Sequence, residues 1–241
     1  MPNDAAEARA RGSMSFLGGY GYLILEGVAL TVTLSLVSAV IAVTVGLIYA
    51  TLTYEGGPGA VLLRSFCLAV MAVPEFITLL VLYFAGTLLL QKIFGSDFQL
   101  SPFWGGGFAL GVAYATYFGE LMRGALRDVN RGLVEAADAL GLHRRQSFFL
   151  IRAPLAVRIA GPGALNLWVS LVKDTSIVSL IGVAELMRNS TVAARVTGAS
   201  FEFYALAGCI YLAMTYCSNL FLGRRLSSRG ELREPHRWMS I

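Results

Sequence analysis

Two charges stand inside long apolar runs of this 241-residue sequence: Glu75 in AVPEFITLLVLYF and Lys173 in LVKDTSIVSLIG. A charge at the centre of a bilayer costs at least ~2.5–3.5 kcal/mol, so each is expected to face a partner or a wet cavity. Pro74, immediately before Glu75, removes one backbone hydrogen bond and is expected to begin a new helical half. The positive end of that half would favour a carboxylate. Glu75 is thus a candidate lining of a solute path, suited to a guanidinium or ammonium group. The competing expectation is a structural ion pair to Lys173 or Arg123, or protonation in place. Lys173 shares a helix face with Asn166 and Ser170, at i−7 and i−3. That polar stripe belongs toward a pathway or toward helix–helix hydrogen bonds.

Other chemistries find no footing. The sequence has two lysines, Lys92 and Lys173, and neither follows a glycine, so it holds no phosphate-cradling G-x-x-x-x-G-K-[ST] loop. His143 and His236 are isolated, and the three cysteines, Cys67, Cys209 and Cys217, have no C-x-x-C spacing. No metal site, disulfide framework or G-x-S-x-G nucleophile elbow follows. The expectation is no catalytic residue, no metal ligand and no cofactor bound by this chain.

The elements that must position Glu75 and Lys173 follow from composition. Hydrophobic residues make up 56% and charged residues 14%, against about 25% charged in a soluble domain. Five stretches reach the ~20 apolar residues a spanning helix needs: 23–50, 61–90, 103–122, 155–181 and 203–222. The first residues, MPNDAAEARARG, lack the form of a cleavable signal peptide. Arg64, the seven arginines from Arg123 to Arg158, and Arg224, Arg225, Arg229, Arg233 and Arg237 fall on one side of these spans. Arg9, Arg11, Lys92, Arg188 and Arg195 fall on the other. The arginine-rich side is expected to be cytoplasmic, with the N-terminus outside and the C-terminus inside. The net charge of +4 is then a topology signal, and no nucleic-acid partner is expected. Thr31, Ser35 and Ser38 share a face of the first span, and Gly107 and Gly111 form a G-x-x-x-G in the third; both read as helix packing.

Between the third and fourth spans lies RGLVEAADALGLHRRQSFFLIRAPLAVR. Glu135, Ala136, Ala137, Ala139 and Leu140 favour helix, and their small side chains leave a surface that another protein can approach. Gly141 suits the left-handed residue that ends a helix. A second short helix is expected over 143–151, stopped before Pro154. Two short helices meeting at a glycine and carrying Arg144 and Arg145 make a cytoplasmic knob, or else a plain loop resting on lipid headgroups.

This segment resembles the EAA signature of permease subunits of ATP-binding-cassette importers: E-A-A, three residues, G, nine residues, I-x-L-P. Glu135-Ala136-Ala137, Gly141, Ile151 and Pro154 fall in register, with Ala153 where the family usually has Leu, Leu133 for a usual Gln and Asn130 for a usual Pro. Glu120-Leu121-Met122-Arg123-Gly124-Ala125 resembles the E-x-x-R-G-A stretch of the polar-amino-acid branch. Asn166, Lys173-Asp174-Thr175-Ser176 and Val178–Gly182 resemble that branch's N…K-D-T-S-L-V-S-L-I-G run. Pro74-Glu75 is similar to a Pro-acidic step in permeases of the basic-amino-acid (histidine, arginine, lysine, ornithine) and opine group.

The resemblance implies an all-α, multi-pass protein of the bacterial inner membrane with a type I importer transmembrane domain. Its parts would be a periplasmic segment 1–19, the transmembrane domain 20–222 with an EAA coupling loop 131–154, and a cytoplasmic tail 223–241. The coupling residues it implies are Glu135, Ala136, Ala137, Gly141, Arg144, Arg145, Ile151 and Pro154; the candidate solute path is Glu75, Asn166, Ser170 and Lys173. It further implies a separate cytoplasmic ATPase subunit, a second permease subunit (identical or different), a periplasmic solute-binding protein and the surrounding lipid as partners. The ATPase would carry all the ATP chemistry. Without the EAA segment, the intramembrane charges would fit a self-sufficient channel or ion-coupled carrier, and the knob alone a membrane anchor for a cytoplasmic complex.

Overall fold

The computed structural model describes the backbone of residues 3–223 and the side chains of 19–221, so the arginines of the tail, Arg9, Arg11 and His236 lie outside the described side chains. Among the described residues all regular structure is helical: α1 (Asn3–Thr53), α2 (Pro58–Met71), α3 (Glu75–Phe94), α4 (Pro102–Asp128), α5 (Arg131–Ala139), α6 (Arg144–Ser147), α7 (Ala153–Asp174), α8 (Leu186–Thr197) and α9 (Ser200–Ser218). Four stretches are long and apolar enough to cross a membrane: Gly19–Thr53, Glu75–Phe94, Arg144–Ile181 and Ser200–Phe221. The helix of the first span extends back to Asn3 through residues 3–19.

The expected continuous second span, 61–90, is two helices. α2 ends at Ala72, and Pro74 (φ −53°, ψ 135°) caps α3 in an extended conformation. Proline lacks an N–H and disfavours a helical residue before it, so the break falls where the sequence placed it, but it divides the span.

α4 is less apolar than the four, yet it is the most enclosed helix. It runs parallel to α1 at a nearly constant offset. The Ser38 hydroxyl donates to the Gly107 carbonyl oxygen (3.0 Å), Tyr49 to Glu120, and Arg127 Nε to the Tyr54 carbonyl oxygen (2.9 Å), at separations of 69, 71 and 73 residues. α4 therefore traverses the same slab as α1, which makes it the fifth crossing. Protein rather than lipid covers it, which relaxes the demand for apolar side chains.

Glycine makes this approach possible. A Cβ on Gly111 would lie 2.7 Å from Ile41 Cβ and 2.9 Å from the Ser38 carbonyl oxygen. One on Gly46 would lie 2.9 Å from the Ala115 carbonyl oxygen and 3.0 Å from the Gly119 nitrogen. Small residues that let backbones touch are a common device of intramembrane helix packing. The hydroxyls of α1 do structural work, as expected: Thr31 donates to Gly27 O, Ser35 to Thr31 O and Ser38 across to α4, all fully buried.

Two features differ from expectation. The short helix before Pro154 does not stop there. α6 passes through a π-helical turn, Phe148–Arg152, straight into α7, with Pro154 in its first turn. The wider π-helical turn falls just ahead of Pro154, where the missing N–H and the ring interrupt the α-helical ladder, so the helix continues past the proline. The second is α8, between the fourth and fifth spans, where the sequence assigned no element. The Glu185 carboxylate caps it, accepting from the N–H groups of Met187 and Arg188 (both 2.8 Å) and from the Tyr211 hydroxyl of α9 (2.8 Å). The Leu186 N–H donates to Thr31 Oγ1, and Asn189 Nδ2 to the Leu23 carbonyl oxygen. A fully buried carboxylate is tolerable because the Met187 and Arg188 N–H groups and the Tyr211 hydroxyl all donate to it.

Candidate functional site

The break at Pro74 sets the first carboxylate. Glu75 occupies the first turn of α3, where the unpaired N–H groups of a helix start favour negative charge. The Tyr117 hydroxyl of α4 donates to Glu75 Oε1 at 3.0 Å. Three residues earlier on α4, the Tyr114 hydroxyl donates to Asp174 Oδ2 at 2.6 Å, at the end of α7. The two tyrosine rings are neighbours, with centroids 5.8 Å apart. The order across the bundle is carboxylate, tyrosine, tyrosine, carboxylate. Tyr114 is buried, whereas Glu75 is exposed and Tyr117 and Asp174 are half-buried. Carboxylates and a tyrosine ring are what a guanidinium or ammonium group binds, through charge-assisted hydrogen bonds and cation–π contact.

The residues named from the sequence are brought together only in part. Among the described residues the ion pairs are Arg123–Glu120 (2.6 Å) and Arg64–Glu120 (3.6 Å), so Arg123 is engaged by Glu120 and not by Glu75. Neither Lys173, Asn166 nor Ser170 has a hydrogen bond or ion pair to Glu75. Asn166 and Lys173 are exposed and Ser170 half-buried. Lys173 lines a separate groove of about 300 Å³ with Ser176, Met187, Tyr204 and Tyr211, against α9. Sequence reasoning passed over Tyr114, Tyr117 and Asp174 as site residues. The available signal was the i, i+3 tyrosine pair on α4 and the step from Lys173 to Asp174, which turns a helix by about 100°. No group of three or more His, Cys, Asp or Glu among the described residues could hold a metal ion.

The knob forms as well. Asn130, standing where proline is usual, caps α5 by accepting from the Gly132 N–H (2.8 Å). Gly141 takes φ +78°, and the Leu142 N–H returns to the Ala137 carbonyl oxygen (3.1 Å), so the chain turns sharply after α5. Ala137 is buried against the bundle, while Leu133, Glu135, Ala136 and Leu140 face outward, Leu140 being 82% exposed. Leu133, Ala136 and Leu140 recur at i, i+3 and i+7, one helical face that none of the described residues covers. Arg144, Arg145 and Pro154 are exposed and Ile151 half-buried.

The family model for the inner membrane component of binding-protein-dependent transport systems matches residues 42–226. The chain belongs to this family. As a member it is a multi-pass inner-membrane permease subunit of an ATP-binding-cassette importer and not an enzyme; ATP is hydrolysed by a separate subunit. The family works with an ATPase, a solute-binding protein and a second permease. The permease is 33% identical over 224 residues to the histidine/lysine/arginine/ornithine transport system permease protein HisQ of Escherichia coli, covering 88% of this chain and 96% of that one. It is 31% identical over 206 residues to the octopine transport system permease protein OccQ of Rhizobium meliloti, covering 83% and 87%. Among solved structures, an amino acid ABC transporter with histidines superposes with a TM-score of 0.73 at 26% identity, over 89% of this permease and 95% of that chain.

Proposed function

We propose that this permease passes basic amino acids or opines, taking the cationic end of the solute between Glu75 and Asp174. The observation that carries this reading is the pair of carboxylates on α3 and α7, each held by a tyrosine of α4. Placing a lone carboxylate at bilayer depth is costly; the cost of two, held by neighbouring tyrosines, is offset by a visiting cation or by protonation. The names of the permease's relatives, which handle histidine, lysine, arginine, ornithine and octopine, support the same solute class. The N-terminus lies in the periplasm and the C-terminus in the cytoplasm, a reading supported by Arg127, Arg131, Arg144, Arg145 and Arg152, which gather at the end of the bundle that carries α5 and α6.

At that end, residues 131–154 dock on the ATPase subunit through the outward face of α5 with Glu135, Ala136 and Leu140, while Gly141 sets the angle of the turn. Closure of the ATPases displaces this knob as a rigid body, and the spans that follow it alternate access to the solute site. The test is uptake into vesicles holding this permease, its second permease and the ATPase, with the binding protein outside. Uptake of labelled arginine that needs internal ATP and exceeds uptake of a neutral amino acid supports the reading. Uptake without ATP, or equal uptake of both solutes, overturns it.

A further inference from the structure

The α1–α2 turn carries a residue that no motif singled out. Tyr54 follows the last turn of α1, its N–H still donating to the Ala50 carbonyl oxygen (3.0 Å). Its ring touches two residues of the knob: the Arg152 guanidinium sits over the face at 5.3 Å from the centroid, and the Phe148 ring centroid is 5.7 Å away. Its carbonyl oxygen accepts from Arg127 Nε at the end of α4 (2.9 Å), and its hydroxyl donates to Glu55 (2.8 Å). Beside these contacts, Tyr54, Glu55, Phe148 and Arg152 line a cavity of about 220 Å³ with Val134, Asp138 and Arg144.

The connectivity gives this contact its meaning. The knob is joined through the chain to α4 at one end and to α7 at the other, so its displacement reaches those helices directly. α1 and α2 have no such link. The turn between them touches the knob through Tyr54, and α2 leads on to the Pro74 break and Glu75. An ordered side chain packed between two elements passes on a rigid-body shift, which a solvated turn does not.

We propose that Tyr54 is a positioning residue of the transport cycle, acting through Arg152 and Phe148 to carry the displacement of the knob into the α1–α2 arm. This rests on the coupling role of residues 131–154. The experiment uses the complete transporter in vesicles and reads solute moved per ATP hydrolysed, with basal ATPase activity and subunit assembly alongside. Tyr54→Leu keeps an apolar side chain but removes the cation–π face and the hydroxyl; Tyr54→Phe removes the hydroxyl alone. Tyr54→Leu lowers solute moved per ATP roughly 2- to 30-fold with basal ATPase and assembly retained, and Tyr54→Phe restores it. Ala136→Arg, on the outward face of α5, tests the underlying reading separately. If Ala136→Arg abolishes coupling while Tyr54→Leu leaves solute per ATP unchanged, the role of Tyr54 is overturned and the knob's is not. If Ala136→Arg has no effect on ATPase binding or uptake, the knob's role fails first. A Tyr54→Leu complex that loses basal ATPase and assembly in proportion to uptake, unrescued by Tyr54→Phe, shows a purely structural tyrosine and overturns the proposal.

Discussion

Lys173 and Asp174 are adjacent in sequence and belong to different surroundings: Asp174 accepts from Tyr114 of α4, while Lys173 lines the groove toward Tyr204 and Tyr211 of α9. The last turn of α7 thus gives the two charges different neighbours. The anion faces the tyrosine pair, and the cation lies about 100° around the helix from it. Substitutions at the two positions should therefore differ. Asp174→Asn should depress uptake of a basic solute, whereas Lys173→Met should leave the preference for basic over neutral solutes intact. Competition between labelled arginine and unlabelled neutral amino acids in vesicles measures that preference directly. Equal effects of both substitutions on it would place Lys173 in the same site after all.

The α1–α4 contact makes a prediction about stability. Gly111→Ala sets a Cβ 2.9 Å from a backbone oxygen of α1, which cannot rotate away, so the two helices must separate. Overpacking of this kind typically costs about 1–3 kcal/mol. Gly124, on the same helix, has nothing within 4 Å of an added Cβ, and alanine there gains up to about 1 kcal/mol of helix propensity. Thermal unfolding of the purified transporter should show a lower midpoint for Gly111→Ala and an unchanged or higher one for Gly124→Ala. A lower midpoint for both would mean that propensity and local contacts, not the approach of α1, govern this helix.

What was legible in the sequence divides along a physical line. Pro74 and Gly141 announce themselves because backbone covalent chemistry decides their conformation, and both behave as read. The hydroxyls of α1 and the glycines of α4 were legible as packing, since small and back-bonding residues have few other uses in apolar surroundings. The pairing of Glu75 with Tyr117 was not, because it joins residues 42 apart through the relative rotation of two helices. Nor was α8: Glu185 is its cap, but an acidic residue among Gly182-Val183-Ala184 gives no sign that Tyr211 and Thr31 will enclose it. Residues whose roles depend on their own dihedrals could be read locally. Those whose roles depend on which helix lies opposite required the packed bundle.

Gly141→Val tests the knob through its backbone. The position has open space around an added Cβ, so steric conflict with neighbours is absent and the whole effect comes from φ +78°. A left-handed residue with a Cβ costs roughly 1–2 kcal/mol, more when β-branched, enough to swing the chain after α5 into another conformation. Membrane insertion and α1–α4 packing should be unaffected, while ATPase binding and uptake fall together. Gly141→Asn, which tolerates the left-handed region better, should retain more uptake than Gly141→Val. Equal uptake by Gly141→Val and the unmodified permease would detach this turn from coupling.

Glu75→Gln is the sharpest test of the solute site. Glutamine keeps the shape of the side chain and can still accept from the Tyr117 hydroxyl, so the local hydrogen bond survives and only the charge is lost. Hydrogen bonds to charged groups contribute about 1.5–3 kcal/mol, so uptake of a basic solute should weaken roughly 10- to 150-fold at the permease step. A neutral solute should be affected much less. The structural alternative makes a different demand. If Glu75 were half of an ion pair, glutamine would strand a buried cation, expression and all solutes would suffer together, and Lys173→Met would restore part of the loss. Among the described residues no such pair is formed: Arg123 is engaged by Glu120, and Lys173 lies in the α9 groove. The double variant Glu75→Gln/Lys173→Met should therefore be no better than Glu75→Gln alone. Rescue by the second change, with equal loss for basic and neutral solutes, would show that Glu75 holds the helices together and does not meet the solute.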